Sequence, residues 1–224
     1  MPDCVRRVAS RARIAVFALA TLLHGGALAG AYVDFFRAVK IDNAPQIQSL
    51  LARGLDPNLV EDERGDTGLI LALRENSMAV FTLLLNARNV DLEARANNGD
   101  SALMIACFTG NRPAVEALLE KGAEVNRPGW APLHYAAAIG NNEIVRILLE
   151  KSAYIDAESP NKTTPLMMAA RGGHILTVKL LLDEGADATL KNELGMNAID
   201  FAAKYEFRDI ADGLTSRLKK AGKL

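Results

Sequence analysis

The chain has 224 residues, 50% hydrophobic and 24% charged, which excludes a disordered charged tail and leaves room for one compact domain or one repeat array. The formal net charge is −1, so the overall charge gives no reason to expect nucleic acid as a partner. Aromatic residues make up only 5%, and a core built from Ala and Leu suits closely packed helices.

The first 29 residues read as a leader. Arg6, Arg7, Arg11 and Arg13 form a positive start, Ile14 to Leu23 an apolar run, and Gly25-Gly26-Ala27-Leu28-Ala29 a stretch of small residues. Ala27 and Ala29 fit the small-x-small rule for cleavage after Ala29, with a cut after Ala31 as the near alternative. An uncut membrane anchor is the other reading. The apolar run falls short of the roughly 20 residues a bilayer span needs, which favours a cleaved secretory signal. Arg6-Arg7 alone is a weak twin-arginine signal, and the lack of a Cys directly after the cleavage site argues against a lipid anchor. Cleavage leaves a more acidic chain, with Cys107 as its one cysteine, so an internal disulfide is excluded and packing must hold the domain together.

Beyond the leader the chain repeats itself. Helix-opening tetrapeptides stand at Thr67-Gly68-Leu69-Ile70, Ser101-Ala102-Leu103-Met104, Ala131-Pro132-Leu133-His134, Thr164-Pro165-Leu166-Met167 and Asn197-Ala198-Ile199-Asp200, at spacings of 34, 30, 33 and 33 residues. Each is followed by a small pair such as Ala136-Ala137, then by a turn at Asn76, Gly110, Gly140, Gly173 or Glu206. A second helix follows, carrying Val80, Val115, Val145, Val178 or Ile210, and in the middle repeats a Leu pair such as Leu148-Leu149. Thr or Ser at an opening caps the helix, and Pro132 and Pro165 occupy the first helical position, where a missing N–H costs nothing. A degenerate first unit runs over Asp34 to Lys40, Pro45 to Leu51 and the exit Gly54-Leu55-Asp56-Pro57-Asn58. The last unit ends in Arg217, Lys219, Lys220 and Lys223, read as a solvated basic end. Divergence at both ends is what capping units require. After Asn126 the chain runs Arg127-Pro128-Gly129-Trp130, three residues short of its neighbours, so a stubby connection and a local notch are expected there.

The Thr-Pro-Leu-His-like openings, Ala-Ala-x-x-Gly turns, Val-x-x-Leu-Leu second helices and exits such as Gly122-Ala123-Glu124-Val125-Asn126 together resemble the ankyrin repeat family over about residues 32 to 218. More narrowly, the chain resembles small bacterial periplasmic ankyrin-repeat proteins. Some of these support oxidative-stress defence, and others act as immunity proteins beside toxins. A secreted, host-directed effector is the further alternative. The resemblance implies an all-α solenoid of about six helix–turn–helix repeats joined by short β-hairpin fingers. The repeats would lie near 32–65, 66–99, 100–129, 130–162, 163–195 and 196–218, within a domain over 30–224. It also implies a non-catalytic scaffold, periplasmic or secreted, that binds a protein partner as a monomer. After signal cleavage no membrane contact is expected.

Ankyrin arrays bind mainly through the finger tips and the exposed side of the first helices, a concave face. By position that face takes in Asp66, Asp100, Trp130, Thr163 and Met196 before the openings, and the pairs after each small pair, including Phe108-Thr109, Ala138-Ile139, Arg171-Gly172 and Lys204-Tyr205. Trp130, Phe108, Ile139, Tyr205, Arg171 and Asp100 are thus the candidate protein-binding residues. Trp130 and Phe108 have a structural alternative, packing on the finger. His134 and His174 fall in slots that carry structural His in the family, and no acidic or Cys cluster at ligand spacing accompanies them. Cys107 occupies a small buried slot, where an inert thiol is expected, with redox sensing as the alternative. No catalytic constellation, cofactor site or phosphate loop is recognisable in the sequence, so a non-enzyme without a cofactor or metal is expected.

Overall fold

The structure is a computed structural model and describes residues 30–223. The expected leader, with Ala27 and Ala29, lies outside the described residues. Those residues form twelve helices in six antiparallel pairs: α1 (30–40) and α2 (Ala44–Ala52), α3 (Gly68–Arg74) and α4 (Met78–Leu85), α5 (Ala102–Phe108) and α6 (Arg112–Glu120), α7 (Pro132–Ala138) and α8 (Asn142–Glu150), α9 (Pro165–Arg171) and α10 (Ile175–Asp183), α11 (Ala198–Lys204) and α12 (Arg208–Lys220). The result is an all-α repeat solenoid.

Local chemistry accounts for most of the helix starts, those of α4, α10 and α12 having no side-chain cap. Thr67, Ser101 and Thr164 accept the backbone N–H three residues on, at 3.4 Å, and Asn197 accepts from Ile199 and Asp200. Ala131 has no such oxygen, and its own N–H is taken instead by His134 Nδ1 at 3.1 Å. Asn43, Asn111 and Asn141 cap second helices in the same way. The turn inside each pair has positive φ in every unit: 53° at Asp42, 55° at Asn76, 68° at Gly110, 73° at Gly140, 74° at Gly173 and 66° at Glu206.

Packing follows the pattern of small and large residues. Ala72, Ala106, Cys107, Ala136, Ala137, Ala169, Ala170 and Ala202 have no exposed surface, and they let successive first helices approach closely. Val80, Val115, Val145, Leu84, Leu118, Leu148 and Leu181 fill the layer between first and second helices, also without exposure. First helices lie closer to one another along the row than second helices do. The array therefore curves with the first helices on its inner side.

A polar ladder ties each exit to the next. Asn58 bonds the backbone of Asn89 and Asp91, Glu93 accepts from Glu124 N, Asn126 bonds Ser152 and Tyr154, and Asp156 accepts from Asp187 N. At the C-terminal end, Arg217 turns back to Asp183 Oδ1 at 2.8 Å and to the Leu182 carbonyl at 2.9 Å. That end is thus partly anchored rather than simply solvated.

The expected β-hairpin fingers are much reduced. Strand pairing among the described residues consists of two isolated bridges, Val60 with Thr67 and Arg95 with Ser101. The finger arms are only a few residues long and Pro160 stands in one of them, so a ladder cannot extend. Neighbouring fingers touch through single backbone bonds, Asn97 N to Arg64 O at 2.8 Å and Glu193 N to Asn161 O at 3.1 Å. The short connection 127–130 lies between these two bonded pairs, as a stub packed beside Pro160.

The turn at Gly140 is closed by the next repeat. His174 sits over it, its Nε2 2.9 Å from the Ala138 carbonyl, and a Cβ on Gly140 would meet the imidazole at 2.4 Å. Gly122 also has positive φ, at 91°, but a Cβ there would meet nothing within 4 Å. Gly122→Ala should therefore cost only the backbone term, roughly 1–2 kcal/mol. Gly140→Ala should cost about 1 kcal/mol more, because the imidazole must leave its hydrogen bond. Thermal denaturation of the two variants checks the order.

Candidate functional site

A recess lies at the end of the short finger, where Trp130 enters α7. It has a volume of about 230 Å³ and is lined by Phe108, Trp130, His134, Tyr135, Ala138 and Met168. Phe108 ends α5, Trp130 stands just before α7, Tyr135 lies on α7 and Met168 on α9, so three successive repeats build one site. At the register of Phe108 the other repeats carry Arg74, Ala138, Arg171 and Lys204. The truncated Ala138 side chain is what leaves room between Phe108 and Met168. The rings meet at steep angles. Phe108 and Tyr135 have centroids 6.2 Å apart at 90°, Trp130 and Tyr135 6.4 Å at 71°, and Trp130 and His134 5.2 Å at 75°. Phe108 is 54% exposed, while Trp130 and Tyr135 are half-buried.

Charged groups anchor the recess from below. The Tyr135 hydroxyl donates to Asp100 Oδ1 in the preceding repeat. Asp100 Oδ2 accepts from Asn98 Nδ2 at 2.7 Å and from Arg74 Nη2 at 3.4 Å. Arg74 Nε also stands 2.9 Å from Asp66 Oδ2, although its N–H is turned aside and neither Asp66 oxygen accepts a hydrogen bond. Burial pushes the Asp66 carboxyl up, against the opposing pull of the Arg74 charge. Burial, followed by Asp100, pushes the Tyr135 phenol up, so the phenol remains a donor. The expectation that Asp100 offers itself to a partner is thus corrected. Asp100 is 6% exposed, and Asp66 and Thr163, at the same register, are buried as well. A carboxylate there is needed inside, to fix Tyr135 and balance Arg74.

A family model described as ankyrin repeats in three copies matches residues 35–128, 97–159 and 133–221. The chain belongs to the ankyrin-repeat family. Among curated relatives, it is 32% identical over 160 residues to the human transient receptor potential cation channel subfamily A member 1, covering 66% of this chain and 14% of that protein. It is 33% identical over 165 residues to human SH3 and multiple ankyrin repeat domains protein 2, covering 71% and 9%. It is 31% identical over 178 residues to the mouse B-cell lymphoma 3 protein homolog, covering 76% and 40%. The ankyrin chain therefore spans less than half the length of each of these relatives.

The remaining candidates of the ankyrin face are divided. Arg171 and Tyr205 form a separate pair, with the guanidinium 5.3 Å from the ring centroid. Ile139 follows α7 and is half-buried, beside the turn at Gly110, and does not line the recess. Met196 is half-buried. Tyr135 and Met168 escaped the sequence reading, although Leu71, Ile105, Tyr135, Met168 and Phe201 share one register, and Tyr135 is its one hydroxyl-bearing member. Cys107 is fully buried, and burial alone pushes its thiol up, away from the reactive thiolate. Among the described residues no group of three His, Cys, Asp or Glu is placed to hold a metal ion, and no helix is long and apolar enough to cross a membrane.

His134 is fixed as the Nε2–H tautomer, since Nδ1 accepts the Ala131 N–H and Nε2 faces the Thr163 carbonyl at 2.9 Å. Burial is the leading effect on its pKa and holds it below the usual value, against the pull of those backbone bonds. The unfolded chain thus takes up the proton first, at about pH 6.5, as pH falls. The stability contributed by neutral His134 is complete above that pH and is lost as pH drops toward the lower folded-state value. The melting temperature of His134→Gln should be lower at pH 7.5, by an equivalent of roughly 1–3 kcal/mol. Between pH 7.5 and 5 it should fall less than that of the unaltered protein, and parallel curves would contradict the assignment.

Proposed function

We propose that this protein is an exported, non-catalytic scaffold that holds a protein partner on its concave face, with Phe108, Trp130 and Tyr135 at the centre of the contact. The observation that carries the reading is the aromatic recess of three repeats, in which Phe108 and Trp130 stand outside the hydrophobic core while Tyr135 packs against it. Large aromatic side chains left accessible beyond the core are what an interface hot spot uses. Arg171 and Tyr205 flank the centre on the C-terminal side, the exposed guanidinium supplying a polar rim. Export rests on the leader pattern of residues 1–29, and the bacterial periplasm is the compartment that the resemblance to exported ankyrin proteins suggests. The scaffold is proposed to act as a monomer.

Two measurements test these statements. The chain isolated from its native cell should have the mass of a protein beginning at residue 30, and an intact Met1 would remove the export reading. Crosslinking followed by pull-down from the native compartment should recover a partner with the unaltered chain. The double variant Phe108→Ala, Trp130→Ala should recover at least tenfold less, consistent with loss of a hot spot of 2 kcal/mol or more, and its melting temperature should be nearly unchanged. A large fall in melting temperature with partner capture intact would make the recess a packing feature.

A further inference from the structure

We propose that the recess under the short finger binds a trimethylammonium group. The walls are the rings of Phe108, Trp130 and Tyr135, which meet edge to face at 71° to 90° with centroids 6.2 and 6.4 Å apart and so line an open recess from different directions. Ring faces carry partial negative charge and attract a cation held over them, most strongly where water is excluded.

The polar atoms near the rings narrow the choice of ligand. The Tyr135 hydroxyl is committed to Asp100, and both nitrogens of His134 are committed to the backbone of Ala131 and Thr163. An inserted primary ammonium or hydroxyl would give up its hydrogen bonds to water and find few acceptors in exchange. A quaternary ammonium has no N–H to leave unpaired, and its methyl groups suit the apolar side chains of Phe108, Ala138 and Met168.

An uncharged apolar group would also meet that condition, and the charge below the rings decides between the two. Asp100 accepts a hydrogen bond from the Tyr135 hydroxyl and so makes that ring richer in electrons. Two carboxylates, Asp66 and Asp100, stand beside the single guanidinium of Arg74, with Glu61 and Arg64 acting on Asp66 as a further opposed pair. Arg95, the further cation acting on Tyr135, is exposed and turned to the Gly99 carbonyl. The same face already seats a cation on an aromatic ring, at Arg171 and Tyr205.

Trp130 is the only tryptophan in the sequence, so intrinsic fluorescence of the full chain reports on the recess directly. Choline should change the emission saturably and bind about tenfold more tightly than 3,3-dimethylbutanol, its uncharged isostere. Phe108→Leu keeps an exposed position apolar but removes one ring. With its fold checked by circular dichroism, it should weaken choline by roughly three- to tenfold and leave the isostere unchanged. A peptide bearing trimethyllysine, run against the same peptide with plain lysine, separates a protein-borne group from a free one. Tighter binding of the methylated peptide than of choline assigns the former, and the reverse assigns the latter. The proposal is overturned if choline gives no saturable response, or if the isostere binds as tightly. Its failure would leave the partner-capture test untouched, since that test does not depend on a cation.

Discussion

The fold depends on one constraint: no helix in it can stand alone. The first helices from α3 onward have only seven residues each, well below the length at which an isolated helix is stable in water. Each must bury its inner side against the repeats before and after it. Alanine and cysteine at the closest points, with no exposed surface, make that approach possible. The larger Val and Leu side chains separate the second helices from the first, and the difference in spacing between the two rows bends the array. The concave face and its recess follow from where the small residues lie.

The recess needs more than apolar packing to keep its shape. Tyr135 projects into it from a helix of seven residues, and its hydroxyl is held by a carboxylate one repeat away. That carboxylate is itself positioned by Asn98 and Arg74. A hydrogen bond to a charged group is worth roughly 1.5–3 kcal/mol, enough to hold the phenol ring in one orientation. Removing Asp100 would thus disturb the rings without touching them. The buried charges lie beneath the aromatic surface and act on it through Tyr135.

Much of this was legible in the amino-acid order because a repeated motif states its own period. The openings, turns and Leu pairs located the helix pairs, and the three-residue deficit before Trp130 marked where the row of fingers would be interrupted. Other features were hidden for physical reasons. Asp100 looked like a surface residue, since its partners Arg74 and Tyr135 lie 26 and 35 residues away, in other repeats. Ile139 shares the sequence register of the variable positions, but it follows the end of α7, where the chain is already turning away. The finger arms read as hairpins from the family pattern, yet they are too short to support more than one bridge apiece. Tyr135 gives no signal in the sequence, because its register is otherwise filled by apolar residues.

The ladder of exit bonds has a consequence for how such a chain can change over time. The side-chain hydrogen bonds that join different repeats span 26 to 38 residues, the reach from one repeat to the next. The length of chain closed by any contact is therefore independent of how many repeats stand on either side. A repeat gained or lost at either end leaves every other loop as it was, and array length is free to drift. The recess has no such freedom. It draws Phe108, Trp130 with Tyr135, and Met168 from three consecutive units in a fixed order, with one shortened connection among them. Gain or loss of a unit within that triplet removes the site altogether, so this part of the array is closed to the reshuffling that its ends permit.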